Sequence, residues 1–410
     1  MSVRAETLRI EAIAGGVTAP AGFRSAALHS GIKKKVGALD LAVLAADRRA
    51  TAAGLFTTNL AKAAPVLVSQ RHLQTTGGHA RAIVVNSGCA NACTGDSGMA
   101  NAVRMAAETA AALGCPIEEV LVASTGVIGV GLDLDRIAPH IRTAATGVAR
   151  DAGAEMARAI MTTDPFPKDH AVAVHTPRGT FHVGGTAKGS GMIEPNMATM
   201  LGFLTTDAAV PPALLRRALE DSARQTFNAI TVDGECSTND CVFALASGAQ
   251  SVLVDEDLYP ALRDAFYMVS KELAIGIVRG GEGATKLITI TVGHARTDAE
   301  AMRVAKTIAN SPLVKTAVHG ADPNWGRIVA AAGRAGVAFD VGRSTVHVGG
   351  TLLFEHGLPH DDMAPRAAEH LKGVEVLIEV DLGTSSSGTA TVWTCDLSAE
   401  YVRINGEYRT

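Results

Sequence analysis

At 410 residues the chain is too long for one typical compact core, so two domains are expected. Apolar residues make up 47% and aromatics only 4%, so the interior must be packed from Ala, Val, Leu and Ile; with 42 glycines, this points to a close-packed α/β or α+β enzyme rather than an all-β binding module. The net charge of −4 and the shortness of the one basic run, Lys33-Lys34-Lys35, argue against nucleic acid as a partner, and no apolar stretch reaches the roughly 20 residues that span a bilayer.

In chain order, residues 82–86 read as a strand, 98–113 as an Ala-rich helix capped by Asp96 or Ser97, and 120–124 as a strand. That strand ends in the turn Thr125-Gly126-Val127-Ile128-Gly129. Helical patterns follow at about 133–146 and 150–161. Residues 171–175 and 180–183 suit a hairpin around Pro177-Arg178-Gly179. The apolar run 200–207 reads as a buried strand. Pro211 and Pro212 open a helix to about 227, proline being tolerated in a first helical turn, and 257–274 is a second helix. Residues 287–292 alternate apolar and threonine positions as a strand does, 298–310 is a helix, and 374–382 with 389–395 read as an antiparallel pair of late strands.

Six cysteines in a chain this long are no disulfide framework and suit reduced thiols. Cys89 and Cys93 are spaced like two ligands on a helical face, but no second pair follows and no His-x-x-x-His occurs among the 13 histidines, so no metal site is expected. Residues 1–11 contain acids and lack an apolar signal core, which points to a cytoplasmic protein. No glycine-rich phosphate loop lies between a strand and a helix, so no cofactor is expected.

The most specific segment is Lys188-Gly189-Ser190-Gly191-Met192-Ile193-Glu194-Pro195-Asn196-Met197-Ala198-Thr199-Met200-Leu201. A glycine-rich turn and a proline-bounded bend lead to a small residue, then to threonine at the head of the apolar strand. A threonine hydroxyl is a poor nucleophile without a base beside it. Cutting the chain before the threonine frees an α-amine that can serve as that base, with an unperturbed pKa of about 7.7–8.0, close to working pH. Ala198 places little steric load on the carbonyl to be broken.

This segment resembles the self-cleavage site of the ornithine acetyltransferase family, the bifunctional glutamate N-acetyltransferases of arginine biosynthesis. The resemblance spans nearly the whole chain. It includes Phe56-Thr57-Thr58-Asn59, Val85-Asn86-Ser87-Gly88, Ala90-Asn91-Ala92-Cys93-Thr94-Gly95, Ser124-Thr125-Gly126-Val127-Ile128-Gly129 and Met161-Thr162-Thr163-Asp164. It continues through Val232-Asp233-Gly234-Glu235, Asn239-Asp240, Gly320-Ala321-Asp322-Pro323-Asn324-Trp325-Gly326-Arg327 and Ile404-Asn405-Gly406-Glu407-Tyr408-Arg409-Thr410. The stretch from Asp164 to His170 is only partly like the family segment.

The resemblance implies a two-domain, layered α/β fold with the active site between the domains. It also implies cleavage between Ala198 and Thr199 into an α chain, residues 1–198, and a β chain, residues 199–410. By the same resemblance Thr199 is the nucleophile, and Thr125 and Gly126 form the oxyanion hole. Thr162, Lys188, Thr199, Glu282, Asn405 and Thr410 bind substrate. Glycine lets a backbone approach closely and a threonine hydroxyl adds a donor, which suits an oxyanion turn, although Gly126 could equally serve backbone geometry alone. Lys188 suits a substrate carboxylate and Glu282 an ammonium group. The implied reaction moves acetyl from N2-acetylornithine to glutamate by a ping-pong route through acetyl-Thr199, with acetyl-CoA as a further donor in some members. Two cleaved heterodimers are expected to associate. The alternatives are a self-cleaving amidase or aminopeptidase that passes its acyl group to water, and an acetyltransferase of secondary metabolism.

Overall fold

The computed structural model describes residues 8–194 and 200–407, so Ala198, Thr199 and Thr410 lie outside the described residues. The first part of the chain runs through β1 (Arg9–Ile13), β2 (Phe23–Leu28), β3 (Leu41–Phe56), α1 (Ala64–Thr75), β4 (His79–Cys89), α2 (Gly95–Leu113), β5 (Val120–Val127), α3 (Leu134–Thr146) and α4 (Gly153–Ala159). It continues through β6 (Lys168–Thr176), β7 (Gly179–Lys188), β8 (Leu201–Thr206), α5 (Pro212–Gln225), β9 (Cys241–Ala246) and α6 (Tyr259–Arg279). The remainder comprises β10 (Leu287–Ala295), α7 (Asp298–Ala309), α8 (Pro312–His319), α9 (Trp325–Gly333), β11 (Thr345–Val348), β12 (Thr351–Glu355), β13 (Leu358–Pro359), α10 (Ala364–Leu371), β14 (Glu375–Asp381), β15 (Gly388–Cys395) and α11 (Ala399–Glu407).

These elements form two mixed sheets with helices packed on them, the mixed α/β fold expected from composition. The larger sheet has the order β1-β6-β7-β8-β9-β3-β4-β5, with β2 also paired to β3. Strand β8 is buried along its whole length, as a continuous apolar run demands. It lies antiparallel to β7, with Leu201 opposite Lys188, and parallel to β9. The period-2 alternation of side chains assigns the two faces. On one, Leu204, Val242 and Ala244 join Leu215, Leu219, Phe266 and Leu273 of α5 and α6, while Val84 and Val122 join α2 and α3 through Met105 and Ile141. On the other, Phe203 and Phe243 pack with Leu44, Ile83 and Leu121, closed by Met156 and Ile160. All of the aromatic residues named here are fully buried, so few rings suffice where alanine and valine fill the rest.

The smaller sheet has the order β13-β12-β11-β14-β10-β15 and a core of Ile288, Ile290, Val292, Val304, Ile308 and Ile378 under α7 and its neighbours. Two expectations are corrected. Strands β14 and β15 are not paired with each other: β10 lies between them, parallel to β14 and antiparallel to β15. Their short connection wraps the end of β10, where Leu382 and Thr384 donate to the carbonyls of Gly293 and His294. Both edges of β10 are thereby paired, which a direct β14–β15 hairpin would have prevented. Helix α2 begins at Gly95, three residues before the expected Gly98, and its N-cap position is Thr94 rather than Asp96 or Ser97; the Ser97 hydroxyl donates to the Thr94 carbonyl at 2.8 Å.

Candidate active site

Six of the residues expected at the site, Thr125, Gly126, Thr162, Lys188, Glu282 and Asn405, line one open cleft. Its cationic end is built on the larger sheet. Lys188 closes β7 and is 8% exposed, so its ammonium must find partners within the protein. It donates to the Thr162 hydroxyl at 2.7 Å and reaches the Thr125 hydroxyl at 3.4 Å. Both Thr162 and Thr163 line the cleft, and it is Thr162 that meets Lys188.

Beneath this contact lies Asp164, buried behind the Thr162 loop. Its carboxylate accepts from Lys168 Nζ at 2.6 Å, the Gly189 amide at 2.8 Å and the Thr162 amide at 3.0 Å. Burial pushes the Asp164 carboxyl up, but the Lys188 and Lys168 ammonium groups outweigh it and hold the group at about 2. Lys33 closes the end of α4, donating to the carbonyls of Leu39 and Met161 at 2.8 Å each, and burial lowers its pKa to about 8.

Thr125 and Gly126 do not form the expected turn but lie inside β5, paired with Ser87 and Gly88 of β4, and the turn comes only at 128–129. Gly126 has φ +127°, and a Cβ there would fall 2.4 Å from the Gly88 carbonyl carbon and 2.6 Å from the Cys89 nitrogen. The β4–β5 register shifts at this crossing. Asn239 locks the adjoining backbone by donating to the carbonyls of Ala90 at 2.5 Å and Ser124 at 2.9 Å. The structural role of Gly126 therefore stands on its own.

The anionic end is assembled from loops and from α11. Glu282 follows α6 and is buried; Asn405 Nδ2 donates to its Oε2 at 2.8 Å, and its own amide donates to the Ser190 carbonyl at 2.9 Å. The glycines around it are explained by close approach: a Cβ on Gly191 would meet the Glu282 carboxyl at 2.3 Å, and one on Gly283, at φ +69°, would meet the Tyr401 nitrogen at 2.5 Å. Asp233 accepts from the amides of Met192 and Ile193 at 2.7 and 2.8 Å and from the Tyr401 hydroxyl at 3.2 Å. Burial, then the Asp233 carboxylate, pushes the Tyr401 phenol well above its ordinary value.

Asp164, Asp233, Asn239 and Tyr401 were given no role in the sequence reading. Asp164, Asp233 and Asn239 lie inside quoted motifs, so the signal is present without a chemistry attached. Tyr401 is brought to Asp233 across 168 positions of sequence, and no local pattern marks it.

The segment leading to the expected cleavage point is anchored as far as Glu194, whose carboxylate accepts from the Thr231 hydroxyl at 3.0 Å and from the Asn310 side chain. Lys306 stands close to that group; burial lowers its pKa to about 8, against the opposing pull of Glu194. Among the described residues, no cluster of three His, Cys, Asp or Glu side chains could hold a metal ion, and no helix is long and apolar enough to cross a membrane.

Comparison with known proteins covers the chain almost from end to end. It is 48% identical over 400 residues to the arginine biosynthesis bifunctional protein ArgJ of Dehalococcoides mccartyi, covering 97% of this chain and 98% of that one. It is likewise 48% identical over 405 residues to the ArgJ protein of Symbiobacterium thermophilum, covering 98% and 100%. The crystal structure of the ArgJ protein from Bacillus halodurans matches at a TM-score of 0.50 and 41% identity, covering 51% of this chain and 100% of that one. The ArgJ family model matches residues 24–410. On this evidence of sequence, spread over both sheets and both ends of the cleft, the chain belongs to the ArgJ family.

Proposed function

We propose that this protein is an acetyltransferase of arginine biosynthesis that moves acetyl from N2-acetylornithine to glutamate through an acetyl-Thr199 intermediate. The observation that carries the proposal is the polarity of the cleft: Lys188 and Thr162 at one end, Glu282 at the other, with Thr125 and Gly126 of β5 lining it. Acetylornithine has a carboxylate and an ammonium group at its two ends, and such a cleft can grip both. The relatives' names, bifunctional proteins of arginine biosynthesis, support the same reading.

In the proposed reaction the Thr199 hydroxyl attacks the acetyl carbonyl and passes its proton to the Thr199 α-amine. The oxyanion is held by the Thr125 hydroxyl and the backbone at Gly126. Collapse breaks the amide bond, the ornithine nitrogen takes the proton, and ornithine leaves. The α-nitrogen of glutamate then attacks the acetyl ester, and Thr199 recovers its hydroxyl. Acetyl-CoA can enter the same scheme as donor, with its thiol as leaving group, and no resident cofactor is required.

The α-amine becomes available when Thr199 attacks the Ala198 carbonyl, the acyl group shifts from nitrogen to oxygen, and water opens the ester. Such a break divides the chain into nearly equal parts, and the Bacillus chain corresponds to 51% of this one, which supports the division. We place the enzyme in the cytoplasm as a pair of cleaved heterodimers.

Two measurements test this. Acetyl transfer to glutamate, assayed with acetylornithine and then with acetyl-CoA, should be found with the first donor; release of acetyl to water alone would replace the reading with a hydrolase. Intact mass should show fragments 1–198 and 199–410, and Thr199→Ala should leave the chain whole and inactive. A Thr199→Ala protein with near-normal transfer would remove Thr199 from the mechanism.

A further inference from the structure

Asp164 takes no part in the chemistry above, yet the cationic end of the cleft converges on it. One oxygen accepts from Lys168 Nζ at 2.6 Å and from the Gly189 amide at 2.8 Å. The other accepts from the Thr162 amide at 3.0 Å and stands 4.0 Å from Lys188 Nζ. A single carboxylate, 7% exposed, thus ties the loop that carries Thr162 to the turn that follows Lys188. We propose that Asp164 is a positioning residue, holding the Lys188 ammonium charged and against the Thr162 and Thr125 hydroxyls. The functional consequence rests on the reading that Lys188 binds a substrate carboxylate.

The charge arrangement makes this role distinct from simple packing. Lys33 on the loop after β2 and Lys168 on β6 both place positive charge near Asp164 and Lys188. Thr125 on β5 and Thr162 after α4 are neutral. Asp40 lies behind Lys33 and holds its loop by accepting the Lys33 amide at 3.0 Å. Glu282, Asp233, Glu235 and Asp240 line the same cleft, and Tyr401 beside them remains neutral. Among the ion pairs of the described residues, Asp164 is the carboxylate partner of Lys188, at 4.0 Å. An opposite charge at this range favours the charged form and a like charge disfavours it. Removing Asp164 must therefore ease proton loss from Lys188, and removing Lys168 must hinder it. A packing role moves neither.

The test is carried out on the full chain labelled biosynthetically with ε-13C-lysine, the Lys188 signal being identified by its loss in Lys188→Arg. Asp164→Asn should lower the Lys188 titration midpoint, and Lys168→Met should raise it. The alkaline limb of kcat/KM for acetyl transfer should move in the same two directions. An unmoved Lys188 midpoint in folded Asp164→Asn protein, or shifts of one sign in both variants, overturns the inference. Should Asp164→Asn fail to accumulate, because Lys168 is left buried without its partner, Asp164→Asn/Lys168→Met carries the test. The midpoint should still fall there, the nearer charge having the larger effect, and an unchanged or raised midpoint overturns the inference. Because the NMR readout needs no turnover, the two readings separate. Shifted midpoints in a protein without acetyl transfer leave the positioning role standing and sink the proposed function. An active protein with unmoved midpoints does the reverse.

Discussion

The two ends of the cleft are built differently. The cationic end hangs on strands: Lys188 closes β7, Thr125 lies within β5, and Thr162 is fixed between α4 and the buried Asp164–Lys168 pair. The anionic end is assembled from the loops of Glu282 and Asp233 and closed by α11, a helix with no buried residue among those described, held through single side-chain contacts such as Asn405 to Glu282 and Tyr401 to Asp233. A rigid end suits groups that must meet a transition state to within fractions of an ångström. A tethered end suits groups that must accept two different amino acids in turn. Defects at the first should therefore appear in kcat or in folding, and defects at the second in KM.

The sharpest way to break this contrast is Gly126→Ala. The positive φ and the contact with Gly88 together should destabilise the protein by about 2–4 kcal/mol, read from urea unfolding, with activity lost alongside. An unchanged unfolding midpoint would mean that the β4–β5 crossing yields easily, and the rigid end would no longer be rigid. Thr125→Val keeps the side-chain shape and deletes the hydroxyl. On cleaved protein it should lower kcat by about 10²–10³-fold with little change in KM. A raised KM at constant kcat would instead make Thr125 a ground-state contact.

At the tethered end the effects should be smaller and of the other kind. Glu282→Gln removes the charge proposed to face the ammonium of the donor and should raise KM for acetylornithine by about 10-fold or more, kcat holding steady. A kcat loss larger than the KM change would show that this end also shapes the transition state. Tyr401→Phe, which deletes one hydrogen bond to Asp233, should raise KM by only about 2–10-fold. A larger effect would mean that α11 docks as a unit through this one contact.

How much of this could be read in advance follows from the range of the interactions. Strand β8 was legible because six consecutive buried positions leave a continuous apolar run. Helix α3 was legible from its periodicity, with Asp133 accepting from the Arg136 amide at its start. Strand β3 was not. Its middle carries exposed Asp47-Arg48-Arg49 where the pairing with β4 shifts register, which breaks the apolar pattern of a 16-residue strand. The insertion of β10 between β14 and β15 was hidden because register and partner choice are set by distant faces. At the site, the residue types were found through family motifs, and their grouping into one cleft is what folding adds. Asp164 shows the cost of reading motif by motif: its segment departs from the family pattern, and its importance rests on contacts 24 and 25 positions away along the chain.

The order of the larger sheet also bears on how such a protein could ever come apart. If the chain is cut before Thr199, strands β8 and β9 belong to the second fragment, while β7 on one side and β3 on the other belong to the first. The second fragment is then threaded through the middle of the first, with backbone hydrogen bonds on both flanks. Separating the two requires opening the sheet on both sides, so their dissociation is an unfolding event and has no affinity of its own. Purified fragments mixed in native buffer should not find each other, whereas fragments denatured and refolded together have a route back. The cut would thus release a catalytic amine without releasing a subunit, and the age of a cleaved molecule would be set by the unfolding rate of one sheet.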